Sequence, residues 1–187
     1  MAISTLDPQT ALIIIDLQMG IVTLPTAHPI GGVLKNSSAL ADAFRRARLP
    51  VVLVNVDGGA PGRVEQPPIR GELPADWSEL VSDLSRQTQD HLVTKRTWGA
   101  FTNTDLEQYL KKADVTQVVI AGVATMAGVE STARQAHELG FNVTLAIDAM
   151  TDTSAEAHHH SITRVFPRLG ETGTTREIID LLEKRSA

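Results

Sequence analysis

Asp16 closes the apolar run Ile13-Ile14-Ile15, and Lys95 closes His91-Leu92-Val93-Thr94, so two strand-like segments each end on a charged group. Burial at such a position raises a carboxylate's pKa and suits it to acid or base work, whereas an adjacent ammonium would hold it ionised. The two tendencies oppose each other, and spacing alone leaves the protonation state of the pair open. Two plainer duties also stand: a carboxylate at 16 that caps a neighbouring helix, and a surface lysine at 95. Further along, Gln117–Ala121 runs into Gly122-Val123-Ala124-Thr125-Met126-Ala127-Gly128-Val129-Glu130. A helix starting at a strand end offers unpaired amides to an oxyanion, although a glycine-containing turn can equally serve packing alone. Glu130 and Arg134, four residues apart, read as a helix-surface ion pair worth about 0.3–0.5 kcal/mol.

What the chain lacks narrows the chemistry. It has no cysteine among its 187 residues, so disulfides, thiolate metal sites and thiol nucleophiles are all excluded. The formal net charge is −5 and neither sign is gathered into a long run. Phosphate backbones need clustered Lys and Arg, so no nucleic-acid partner is expected. Residues Met1 to Thr10 lack the basic start and apolar stretch of a signal peptide, and no apolar run approaches membrane-spanning length. A cytoplasmic protein without a membrane partner is the expectation.

Five segments must position these groups as strands: Ala11–Ile15, Val51–Val56, His91–Thr94, Gln117–Ala121 and Asn142–Ile147. Their continuous, β-branched character suits strands covered on both faces. Helical periodicity links Val33, Ser37, Leu40, Phe44 and Ala47, then Trp77, Leu80, Val81 and Leu84, then Val129, Thr132, Ala136 and Leu139. Thr104 with Glu107, Thr153 with Glu156, and Thr174 with Glu177 fit the Thr-x-x-Glu capping box, and Gly140 suits a left-handed helix stop. Strands alternating with helices predict one domain over 1–187, α/β in class. The expected architecture is three-layered α-β-α, around a mostly parallel, doubly wound (Rossmann-like) sheet of five or six strands. Sites in such sheets lie at the carboxyl ends of the strands, and the Gly/Pro-rich stretch Gly58–Pro74 reads as a long loop over that edge.

Three segments in order, Ile14-Ile15-Asp16-Leu17-Gln18, Lys95-Arg96-Thr97-Trp98-Gly99-Ala100-Phe101, and Gly122–Thr125 followed by Val129-Glu130-Ser131-Thr132-Ala133-Arg134, resemble the signatures of the isochorismatase-like hydrolase family. In that family the aspartate and lysine serve a cysteine at the start of the helix after the third motif. Here the corresponding position is Gly128, which closes the acyl-enzyme route. The namesake branch also does without the cysteine and hydrolyses a vinyl ether. The resemblance therefore implies that Asp16 is the general acid or base, the proton donor in vinyl-ether chemistry, with Lys95 orienting it or binding the substrate carboxylate and Gly128 leaving room for substrate. It also implies a cis peptide at Val123-Ala124, which would turn backbone amides into the pocket. Gln18, Trp98 and Phe101 are pocket-wall candidates, core packing being an equal reading for the two aromatics, and Arg63 is a candidate clamp for a substrate carboxylate.

The nicotinamidase branch holds a metal after its second strand with an aspartate and two histidines. Here Asn55–Arg63 contains no histidine, so no metal and no other cofactor is expected. His158-His159-His160 points in different helical directions and reads as a solvated helix face. The resemblance implies a homodimer or larger homo-oligomer acting on a small-molecule substrate. A catalytically silent relative, acting as a small-molecule binder or assembly subunit, is the alternative.

Overall fold

The computed structural model describes residues 3–65 and 73–185; the rest of the predicted long loop, 66–72, lies outside them. Six parallel strands run in the order β3-β2-β1-β4-β5-β6. They are β1 Thr10–Ile15, β2 Val51–Val56, β3 His91–Lys95, β4 Gln117–Val123, β5 Asn142–Thr151 and β6 Glu171–Gly173. The chain order reverses between β1 and β4, the place where open α/β sheets generally bind ligands, outside the strands' carboxyl ends.

Alternation along the central strands feeds two separate cores. Leu12, Ile14 and Leu53 pack with Leu40 and Phe44 of α2 (Ile30–Arg46) and with Ile178 and Leu182 of α6 (Thr175–Arg185). Ile13, Ile15, Val52, Val54 and Val93 pack against Leu106 and Leu110 of α3 (Leu106–Lys112) and Ala133 and Ala136 of α4 (Glu130–Glu138). The result is the three-layer α-β-α architecture, and among the described residues no helix is long and apolar enough to cross a membrane.

Several local expectations are corrected. Trp77–Leu84 is not an amphipathic helix. Its backbone is captured by the segment after β1: the Met19 and Gly20 amides donate to the Glu79 and Trp77 carbonyls, the Val81 amide to the Leu17 carbonyl, and only Ser82–Leu84 winds into a 3₁₀ turn. Tertiary pairing outweighs the local period. Of the three capping boxes, one forms in full: the Thr174 amide donates to Glu177 Oε2 at 2.7 Å and the Glu177 amide to Thr174 Oγ1 at 3.3 Å. At Thr153 the cap is its neighbour Ser154, which accepts from the Ala157 amide as α5 (Ala155–His160) begins. The Thr104 hydroxyl donates to the Ala100 carbonyl, and α3 starts at Leu106. Leu139 closes α4 on its exposed side rather than continuing the buried stripe.

Candidate active site

Strict alternation would send Asp16 to the same face as Ile14. Its backbone instead turns left-handed, φ 51°, directly after β1. That turn breaks the alternation and lets the carboxylate meet Lys95, which shares its face of β3 with Val93. The Lys95 ammonium donates to Asp16 Oδ2 at 2.7 Å and to the Thr97 carbonyl at 3.2 Å, and both side chains are buried. Asp16 Oδ1 is buried without a hydrogen-bond partner. Desolvation raises the Asp16 pKa from 3.8 to about 6, against the opposing charge and hydrogen bond of Lys95.

Gly122 and Gly128 bring the end of β4 up to this pair. Gly122 pairs with Ile15 and has φ 113°; a Cβ there would lie 2.0 Å from the Ile15 carbonyl oxygen, so only glycine permits the approach. The Val123-Ala124 peptide is cis, as the resemblance implies. The chain then makes a π-helical turn, Thr125–Val129, before α4. A Cβ at Gly128 would stand 3.2 Å from Asp16 Oδ2 and 2.9 Å from Ile15 Cγ2. Asp16, Lys95 and Gly128, far apart in sequence, therefore share one buried spot at the β1/β4 reversal.

The segment after Lys95 is stitched to α4. Thr132 Oγ1 accepts from the Ala100 amide, Gln135 Oε1 accepts from the Phe101 amide, and Gly99 leaves the room that the Gln135 amide fills. Phe101 is half-buried and stacks on Phe141, whereas Trp98 is 64% exposed. Gln18 is buried with its amide spent on backbone: Nε2 donates to the Val56 and Trp77 carbonyls and Oε1 accepts from the Val56 amide. Arg63 is exposed and forms no ion pair among the described residues. Glu130 pairs with Arg134 at 2.8 Å, and its second oxygen also accepts from the Ser161 hydroxyl.

Sequence reasoning missed Asp152, whose Oδ2 accepts from the Met126 amide at 2.8 Å and so braces the turn that carries Gly128. The signal was hidden because exposed Asp148 makes β5 look finished at Ile147, whereas the strand runs on to Thr151. It also missed Asn55, buried beside Ser78 at the end of β2, with Oδ1 unpartnered. His158 corrects the reading of the histidine triplet as a solvated face: its ring is buried against His28 and Thr125, while His159 and His160 are exposed.

The isochorismatase-domain family model matches residues 10–177, nearly the whole span from β1 to α6. The chain belongs to the isochorismatase family. It is 41% identical over 179 residues to the uncharacterized isochorismatase family protein YwoC of Bacillus subtilis, covering 92% of this chain and 93% of that one. It is 31% identical over 167 residues to nicotinamidase 3 of Arabidopsis thaliana, covering 83% and 81% respectively. The structure of an isochorismatase family protein from Burkholderia thailandensis superimposes with a TM-score of 0.93 at 39% identity, over 97% of this chain and 100% of that one. As an isochorismatase-family hydrolase, the chain places its buried Asp16–Lys95 ion pair where open α/β sheets bind ligands, at the strand-order reversal.

Proposed function

We propose that this hydrolase works without a cysteine nucleophile, using Asp16 as general acid or base with Lys95 as its partner, and that vinyl-ether hydrolysis of the isochorismatase type is its chemistry. The observation that carries the reading is the asymmetry of the Asp16 carboxyl: Oδ2 is held by Lys95 while Oδ1 is buried and unpartnered. A proton therefore belongs on Oδ1, free to be handed to a substrate atom. A pKa of about 6 keeps a usable fraction of the acid form near neutrality.

In the proposed reaction the Asp16 acid protonates the enol carbon of the vinyl ether, and the bond electrons leave an oxygen-stabilised cation. Water adds to that cation, its surplus proton returns to Asp16, and the resulting hemiketal separates into a ketone and an alcohol. Lys95 stabilises the carboxylate left after the first proton transfer, so the pair cycles through one proton without a covalent intermediate. Gly128, the counterpart of the family nucleophile, contributes space beside Asp16 Oδ2 and no reacting atom.

The substrate in this reading is small and carboxylated. Lys95 is already engaged by Asp16 and the Thr97 carbonyl, so Arg63, exposed and unpaired among the described residues, is the candidate for the substrate carboxylate. Exposed Trp98 and Met126 flank Lys95 and Gly128 in sequence and suit a surface covered by a second copy of the chain. The direct test is to offer isochorismate, simple vinyl ethers, amides and esters to the protein and to its Asp16→Asn variant. Vinyl-ether turnover that disappears with Asp16→Asn supports the reading; turnover that survives the substitution unchanged removes Asp16 from the mechanism.

A further inference from the structure

His28 lies on the loop between α1 (Met19–Val22) and α2, and His158 lies in α5 after β5, yet their ring centroids are 4.5 Å apart. Each ring is anchored through Nδ1 by a threonine hydroxyl: His28 by Thr151 Oγ1 at 3.1 Å and His158 by Thr125 Oγ1 at 2.8 Å. A hydroxyl accepts as readily as it donates, so both rings can give Nδ1–H to threonine and keep an Nε2 lone pair. The ring hydrogen bonds of both histidines are made through Nδ1, and neither Nε2 has a partner among the described residues. Both rings border one cavity of about 290 Å³, together with Gly32, Asn36, Asp148 and Met150.

Histidines that ligate a metal almost always have the other ring nitrogen fixed by a hydrogen bond, which sets both tautomer and orientation. With metal–nitrogen bonds of about 2.0–2.1 Å, two imidazoles on one ion have centroids roughly 4.5–5.2 Å apart for angles between right and tetrahedral. The observed separation of 4.5 Å sits at the lower edge of that range.

We propose that His28 and His158 form a two-imidazole site for a divalent transition cation of the zinc or nickel class. No third His, Asp or Glu completes the set among the described residues, so water or a substrate atom fills the remaining positions. Asp148, on the cavity wall with Oδ1 already bonded to Thr175, supplies negative charge nearby. The site joins three separate stretches of chain: the loop before α2, α5, and through Thr125 the turn that carries Gly128. It does not involve the segment after β2.

The test is titration of the full-length protein with ZnCl₂ or NiCl₂ alone, followed by calorimetry and by melting temperature. The expected result is 1:1 binding with a Tm increase of about 2–4 °C at saturating metal. His28→Ala should weaken binding at least tenfold, and because His28 is exposed its loss should leave the fold intact by circular dichroism. A double variant, His159→Ala with His160→Ala, should bind within about twofold of the parent. The proposal is overturned if no metal binds, if binding survives His28→Ala, or if it is lost with His159 and His160, which would mark a helix-surface chelate instead.

Discussion

The two ends of the parallel sheet both bury fully bonded polar side chains, Gln117 at one and Gln18 at the other, but the carboxyl end also buries polar atoms that have no partner. At the amino ends of β1 and β4, Gln117 spends its whole amide: Oε1 accepts from the Asp7 amide and the Thr10 hydroxyl, and Nε2 donates to the Thr5 carbonyl and the Thr144 hydroxyl. At the carboxyl ends, Asp16 Oδ1 and Asn55 Oδ1 are buried on adjacent strands with no partner. An unmade buried hydrogen bond costs about 1–3 kcal/mol, so leaving one open at Asp16 is a sacrifice of stability that Gln117 shows the fold can avoid. On the proposed function, the open position at Asp16 is the one kept for substrate, whereas Gln117 serves the sheet alone.

Substitutions at the two ends should therefore part activity from stability. Asp16→Asn cannot deliver a proton, and we expect kcat/KM for a vinyl-ether substrate to fall about 10²–10⁴-fold in the folded protein, a loss out of proportion to the fall in Tm that comes from leaving the buried Lys95 ammonium without its counter-charge. Gln117→Leu should do the reverse. It strands the Asp7 amide and the buried Thr144 hydroxyl, while Thr10 keeps its bond to the Asp7 carbonyl, and urea unfolding should show a loss of about 2–4 kcal/mol while kcat is unchanged. A Gln117 variant that lost activity in proportion to Asp16→Asn would erase the distinction.

Gly128 tests how far the site is shaped around an absent side chain. A Cβ there meets Ile15 Cγ2, a branch of a fully buried and rotationally stiff residue, at 2.9 Å. Gly128→Cys should consequently cost about 1–3 kcal/mol of stability as overpacking, read from the denaturation midpoint. New amidase activity in that variant would show that Asp16 and Lys95 can still serve a thiol; its absence, with the fold intact, would show a site committed to acid chemistry.

The buried Asp16–Lys95 pair also fixes a pH response. Because the folded-state pKa of Asp16, about 6, lies above its ordinary 3.8, the folded protein binds that proton more tightly than the unfolded chain. The associated stability is fully present below pH 3.8 and is lost as pH rises through 6. A general-acid reaction should lose rate over the same upper limb, above pH 6. Lys95→Met removes the charge and hydrogen bond that oppose desolvation, so the midpoint of the rate profile should move upward by about one pH unit or more. A downward or absent shift in a folded variant would mean that Lys95 does not govern this proton.

How much of this was legible in the sequence depended on whether the deciding contact was local. The five longer strands were visible because burial on both faces writes continuous apolar runs, and β2 runs over the expected Val51–Val56. Asp16 and Lys95 stood at strand ends, where a helix cap and a surface lysine were equally open readings, and it was their place in the three ordered motifs of the resemblance that paired them. The three-residue β6 carries too little apolar signal to separate from a turn. The turn of Asp16 toward Lys95, the bracing of Met126 by Asp152 and the capture of Trp77–Leu84 by the segment after β1 depend on partners distant in the chain. His158 was misread for the same reason, since His28 and Thr125 reach it from other elements.

The smallest effect sharpens the comparison most, because it takes a satisfied group from the carboxyl side of the sheet. Thr174 follows β6 and closes a reciprocal cap with Glu177, and Asp148 beside it accepts from both the amide and the hydroxyl of Thr175. Thr174→Ala should cost about 1 kcal/mol in chemical denaturation and leave turnover untouched. Thr153→Ala, where Ser154 supplies the cap instead, should cost less than half of that. If both hold, the mark of a functional group in this fold is an open hydrogen-bonding position rather than its end of the sheet. Thr174 would then align with Gln117, and Asp16 would stand apart from both.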